Sequence, residues 1–270
     1  MRIKQAVQTA SIPRADAEVL LAHLLGKDRS WLIAHANDTL NSVEEMAWSA
    51  LVTRRQTGEP VAYITGTKEF YERSFLIDRR ALIPRPSTER LVELALDVLK
   101  HPRFESVSLD SGITGLAALW GTFDDVKTVI DIGTGSGCIG VTMACEQPDF
   151  TIIATDISKD ALQLAEENAK RFRVTERVSF RLGNGLEPID DVTEPFLLVS
   201  NPPYIKEGTE IMEEVRLFEP SIALWGGKSG GEIAEQFARD ARSHPFCRGI
   251  VIECETDQAM YVAKACGFTS

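Results

Sequence analysis

The sequence has 270 residues, with 29 Lys and Arg against 40 Asp and Glu, a formal net charge of -11. That field repels phosphate backbones, so composition speaks against tight nucleic-acid binding, while the length suits one large domain or a medium domain with a smaller module. Hydrophobic residues at 44% suffice for a core, and no apolar run approaches the ~18 residues that span a bilayer, so a cytoplasmic protein without a membrane partner is expected.

In chain order, Ala15, Val19, Leu20, Leu24 and Leu25 recur at helical spacing and Gly26 offers a stop, predicting a helix over 13–25. Ser42 and Glu45 form a candidate capping box for a second helix reaching about Thr57 and Gly58. The first seventy or so residues therefore read as a small helical module. Short β-like runs follow over 75–83, then Pro84-Arg85-Pro86 and a helix over 88–99. The stretch 101–125 holds Gly112, Gly115 and Gly121 without clear periodicity and reads as an insertion or loop. From 128 onward strand-like runs (128–132, 151–155, 178–181, 196–200, 249–254) alternate with helical ones (158–171, 232–242). This predicts parallel βαβ units in a doubly wound α/β sheet.

Cys138, Cys145, Cys247, Cys254 and Cys266 are odd in number and lack a Cys-x-x-Cys spacing, and His23, His35, His101 and His244 are scattered. Neither a disulfide framework nor a metal site is signalled, and free thiols in a reducing compartment are expected.

Three groups carry chemistry. Gly133-Thr134-Gly135-Ser136-Gly137 forms a turn between a predicted strand and a predicted helix, where glycines permit unusual backbone angles and free helix N–H groups attract polar ligand atoms. Asp156, ending the next strand, is placed either to accept hydrogen bonds from the two ribose hydroxyls of an adenosyl group or to cap the following helix. With no Gly-x-x-x-x-Gly-Lys loop in the chain, the pair favours an adenosyl cofactor over a nucleoside triphosphate. Asn201-Pro202-Pro203-Tyr204 follows the fourth strand of the sheet. Two prolines stiffen the loop, leaving the Asn201 amide and the Pro202 carbonyl as acceptors for a substrate NH2 and Tyr204 to pack on its π system.

These three groups resemble the class I methyltransferases that modify planar amino groups. Gly58-Glu59-Pro60, Glu69-Phe70-Tyr71, Leu82-Ile83-Pro84-Arg85-Pro86, Thr88-Glu89, Phe218-Glu219-Pro220 and Gly226-Gly227 further resemble the release-factor glutamine methyltransferase family of the HemK/PrmC type. The resemblance implies a Rossmann-like class I methyltransferase domain with a mostly parallel sheet, preceded by a small N-terminal helical-bundle domain of five helices that recognises a peptide chain release factor. It implies S-adenosyl-L-methionine as cofactor, bound by Gly133 to Gly137, Asp156, Asn184, Gly185 and Asn201. Asn201, Pro202, Pro203 and Tyr204 would hold the glutamine of a Gly-Gly-Gln loop for methylation at N5, with Asn201, Pro202 and Tyr204 as the catalytic set. The family usually carries Glu at the position of Ser87, an acidic residue at Asn184, often an aromatic at Gly185, and Glu-Ile-Gly at Glu253-Cys254-Glu255. The expected division is 1–73 helical recognition domain, 74–86 hairpin linker and 87–270 methyltransferase domain, with a final strand missing, in a monomer. The rival readings are an adenine-N6 DNA or RNA methyltransferase and a cofactor-binding homologue without turnover.

Overall fold

The computed structural model describes residues 1–100, 106–109 and 116–268. In chain order its helices and strands begin with α1 (Ile3–Thr9), α2 (Arg14–Leu25), α3 (Arg29–Ala34), α4 (Ser42–Gln56) and α5 (Val61–Thr65). There follow β1 (Thr67–Phe70), β2 (Arg73–Leu76), α6 (Pro86–Lys100), β3 (Ser106–Leu109), β4 (Leu116–Leu119), β5 (Thr128–Ile132), α7 (Cys138–Glu146), β6 (Thr151–Asp156), α8 (Lys159–Arg171) and β7 (Val178–Leu182). The remainder is β8 (Phe196–Ser200), β9 (Ile205–Lys206), α9 (Glu213–Phe218), β10 (Trp225–Gly227), α10 (Glu232–Ser243), β11 (Cys247–Ile252) and α11 (Thr256–Ala265).

The chain forms two compact units: Met1–Thr67 with Ile211–Phe218, and Lys68–Glu210 with Glu219–Ser270. The first has its own core of Ala17, Leu20, Leu21, Leu32, Trp48 and Ile64. α2 ends where expected, because Gly26 adopts the left-handed conformation (φ 62°) and returns its N–H to His23 O. The capping box of α4 lies one residue earlier than the sequence suggests. Asn41 Oδ1 accepts from Val43 N and Glu44 N, while Glu44 Oε2 accepts from Asn41 N at 2.8 Å, leaving Ser42 as the first helical residue. This unit also takes in α9. Arg55 donates to Asp16 Oδ2 at 2.7 Å and to Glu214 Oε2 at 2.9 Å, joining α4 to α2 and α9.

The second unit is a seven-stranded sheet in the order β3-β4-β11-β8-β5-β6-β7. β7, β6, β5, β8 and β11 are parallel, and β5 and β8 are buried along their whole length, which suits apolar strands covered on both faces. Strand order reverses between β5 and β8, so a crevice opens at their carboxyl ends.

Two expectations change here. The stretch 101–125 contains strands: β4 pairs antiparallel with β11 (Leu119 opposite Gly249, Leu116 opposite Ile252) and β3 pairs antiparallel with β4. β11 thus has a neighbour on each side, while 101–105 and 110–115 lie outside the described residues. The β ribbon expected over 74–86 lies earlier, at β1 and β2, which form a two-stranded sheet around Tyr71 and Glu72. Both residues have positive φ (50° and 58°), the geometry of a two-residue hairpin turn usually given to Asn or Gly, and Tyr71 N donates to Glu89 Oε1. Among the described residues no helix is long and apolar enough to cross a membrane, and no cluster of His, Cys, Asp and Glu is arranged to hold a metal.

Candidate active site

β5 ends in the glycine turn, where Gly133, Gly135 and Gly137 all have positive φ (71°, 56° and 81°). Its N–H groups point inward. Gly133 N and Thr134 N donate to Thr155 O, Gly135 N to Asp156 Oδ2 and Gly137 N to Thr134 O, so these four amides are not the ligand donors the sequence suggests. The glycines serve another end. No atom would lie within 4 Å of a Cβ at Gly133, and at Gly135 only Ala81 Cβ and Gly133 O approach that distance, so a cofactor can rest against bare backbone there. Gly137 differs: a Cβ would fall 3.0 Å from Ala165 Cβ, which makes it the contact between the turn and α8, and it does not line the cavity.

Beneath the turn, Asp131 is fully buried. Its Oδ2 accepts from Thr134 Oγ1 and Gly140 N, its Oδ1 has no hydrogen-bond partner among the described residues, and burial pushes its carboxyl up to about 6. Asp156 does not cap α8: that role falls to Ser158, whose Oγ accepts from Ala161 N, and Asp156 instead ties the residue before the helix to the glycine turn. Oδ1 accepts from Ser158 N and Oδ2 from Gly135 N, each oxygen retaining a lone pair. Burial raises its carboxyl above the usual carboxylate range, and the N–H groups of Ser158, Gly135 and Ile157 oppose that rise.

One cavity brings the glycine turn, Asp156, Asn184, Gly185, Asn201, Pro202 and Pro203 together. Its apolar lining includes Ile157, Ile222 and Phe237, which the sequence did not single out. A Cβ on Gly185 would meet Phe237 Cε1 at 3.3 Å, so a ring from α10 occupies the space a side chain at 185 would claim. Arg80 and Arg85 also line the cavity, but each is engaged: Arg80 with Asp78 and Glu167, Arg85 with Glu219 Oε1 at 2.6 Å. Both positive charges are thus balanced by carboxylates. Glu219 in addition accepts from Ile83 N, so its carboxylate ties Ile83 and Arg85 together. Cys138 lines the cavity too, with its thiol pushed up to about 12 by burial, far from a nucleophile's range.

Asn201-Pro202-Pro203-Tyr204 is braced from behind. A Cβ on Gly226 would fall 2.6 Å from Pro203 O, one on Gly230 would fall 2.5 Å from Tyr204 O, and Gln258 Nε2 donates to that same oxygen at 3.1 Å. Tyr204 does not line the cavity. Burial, followed by the charges of Glu253 and Glu255, pushes its hydroxyl up to about 12.

Residues 2–66 match the family model described as the PrmC N-terminal domain, and residues 100–234 match the Methyltransferase small domain. A release factor glutamine methyltransferase of Koribacter versatilis is 37% identical over 243 residues, covering 89% of this chain and 78% of that protein. The chain belongs to the release factor glutamine methyltransferase family. It spans about half the length of other relatives: a bifunctional methyltransferase of Rickettsia prowazekii is 36% identical over 262 residues, 94% of this chain and 49% of that protein. The crystal structure of the hMettl16 catalytic domain in complex with the MAT2A 3'UTR hairpin 6 superposes with a TM-score of 0.50 at 12% identity, covering 83% of this chain and 72% of that one, a likeness of fold. Thr88, which lines the cavity, and Glu253 behind it enter the sequence reading only as parts of the family resemblance, with no role attached to either. Glu253 follows β11, is wholly buried, and accepts hydrogen bonds from Ser87 and Thr88 at the start of α6.

Proposed function

We propose that this chain transfers a methyl group from S-adenosyl-L-methionine to the side-chain amide nitrogen of the glutamine in a release factor's Gly-Gly-Gln loop. The observation that carries this reading is the meeting of Asn201 and Pro202 with Asp156 and the bare face of Gly133 in one cavity whose arginines are already paired. S-Adenosyl-L-methionine supplies an electrophilic methyl group on a sulfonium centre. The residues present fit it. Asp156 keeps lone pairs for ribose hydroxyls, the buried Thr155 Oγ1 lacks a partner among the described residues, and Ile157 and Phe237 offer apolar faces to a flat base.

An amide nitrogen is a poor nucleophile because its lone pair is delocalised, so positioning supplies most of the rate. Asn201 Oδ1 and the Pro202 carbonyl accept the two N–H hydrogens, aim the nitrogen and stabilise positive charge as it develops. The helical unit docks the release factor. Incubating the protein with labelled S-adenosyl-L-methionine and either a release factor or adenine-containing DNA and RNA, followed by mass spectrometry, tests the reading. Label on the glutamine is expected, and label on adenine alone would replace it with the nucleic-acid reading. Asn201→Ala should lower kcat by ~10² while leaving cofactor affinity nearly unchanged.

A further inference from the structure

The amide of Asn201 has two chemically opposite ends, and only its oxygen can accept a substrate N–H. What decides which end faces the cavity is a chain of hydrogen bonds behind it. Asn201 Nδ2 donates to Thr88 Oγ1 at 2.9 Å, and Thr88 Oγ1 donates to Glu253 Oε2 at 2.9 Å. Thr88 is 2% exposed and Glu253 0%, so water does not substitute for either partner. Ser87 Oγ donates to Glu253 Oε1 at 2.8 Å.

A hydroxyl has one proton to give. A carboxylate only accepts, so beside Glu253 the Thr88 proton is committed and its oxygen is left as an acceptor. Of the two ends of the Asn201 amide, only the NH2 can meet an acceptor. Oδ1 must then take the other side. We propose that Glu253, acting through Thr88, is a positioning residue that sets which end of the Asn201 amide faces the substrate. This rests on Asn201 being the amide clamp of the proposed reaction. Glu253 touches no reacting atom. It exerts control because a carboxylate polarises the relay in one direction, whereas a neutral amide in its place has an NH2 of its own and permits both.

Three variants test the relay in the full chain. Glu253→Gln lets the side chain donate to Thr88 Oγ1, so that Thr88 donates to Asn201 Oδ1 and the amide turns over. Thr88→Val keeps the shape and removes both hydrogen bonds. Each is expected to lower the single-turnover rate at saturating substrate by ~10- to 100-fold, with KM and cofactor affinity within ~twofold, on the scale of a small misplacement of a reacting group. Thr88→Ser should recover most of the rate lost in Thr88→Val, since it restores the hydroxyl. The side-chain NH2 signal of Asn201 in 1H–15N spectra, assigned by its loss in Asn201→Ala, provides a readout without turnover. It should shift in Glu253→Gln and Thr88→Val and return towards the wild-type position in Thr88→Ser. Folded Thr88→Val with a wild-type rate and an unmoved Asn201 signal would overturn the relay. A moved signal beside a fully active Asn201→Ala would keep the relay and instead remove Asn201 from the proposed clamp.

Discussion

Asp131 shows how one buried group ties the site to stability. Its carboxyl sits at about 6 because burial outweighs the bonds from Thr134 and Gly140, whereas an unfolded chain returns it to ~3.9. The folded state therefore binds the proton more tightly, and the charged form works against folding: the cost is absent below ~4, grows between ~4 and ~6 and is complete above that, at about 2–3 kcal/mol. Asp131→Asn should accordingly gain stability relative to wild type as pH rises from 4 to 7.5. Urea unfolding of both proteins at the two pH values checks this, and a difference that does not change with pH would mean that the carboxyl titrates normally. At this scale the sequence was legible where a residue's role follows from its neighbours in the chain. The stiff Asn201-Pro202-Pro203-Tyr204 loop and the glycine turn were found that way. The roles of Thr88 and Glu253, named there only within family motifs, were not, because the bonds that define them join residues 113 and 165 positions apart.

Among the elements, periodicity located β5, β6, β8 and α8 to within a residue or two, since each is fully or half buried in a regular pattern. The β1–β2 turn was hidden because Tyr71 and Glu72 hold positive φ without the glycine or asparagine that usually announces it. β3 and β4 were hidden for another reason: strands of four residues have no period long enough to read, and their placement depends on β11, far along the chain. Gly249 now has a tertiary explanation. A Cβ there would fall 2.7 Å from Leu119 Cδ2 and 2.9 Å from Ala118 O, so β4 lies against it too closely for a side chain. Gly249→Val should destabilise by ~1–3 kcal/mol through overpacking, read as a lower urea midpoint, although valine favours strands. A mutant at least as stable as wild type would mean that β4 does not occupy that edge.

For the molecule as a whole, the two-part organisation was legible from the change of period after the first seventy residues. The inclusion of Ile211–Phe218 in the helical unit was not, because it depends on Arg55 reaching Asp16 and Glu214 from three separate parts of the chain. Arg55→Ala should raise amide exchange in α9 and raise KM for an intact release factor, with cofactor affinity unchanged. Exchange mass spectrometry and calorimetry measure the two, and unaltered exchange in α9 would show that Arg55 does not secure it. The position of β4 has a further consequence, in time. Roughly 130 residues separate it from its partner β11, and at ~5–20 residues per second a ribosome needs on the order of ten seconds to make them. Through that interval the β3–β4 ribbon has no sheet to join, so in the nascent chain its backbone groups stay open to water or to a chaperone, and emergence of β11 becomes the event that closes the sheet.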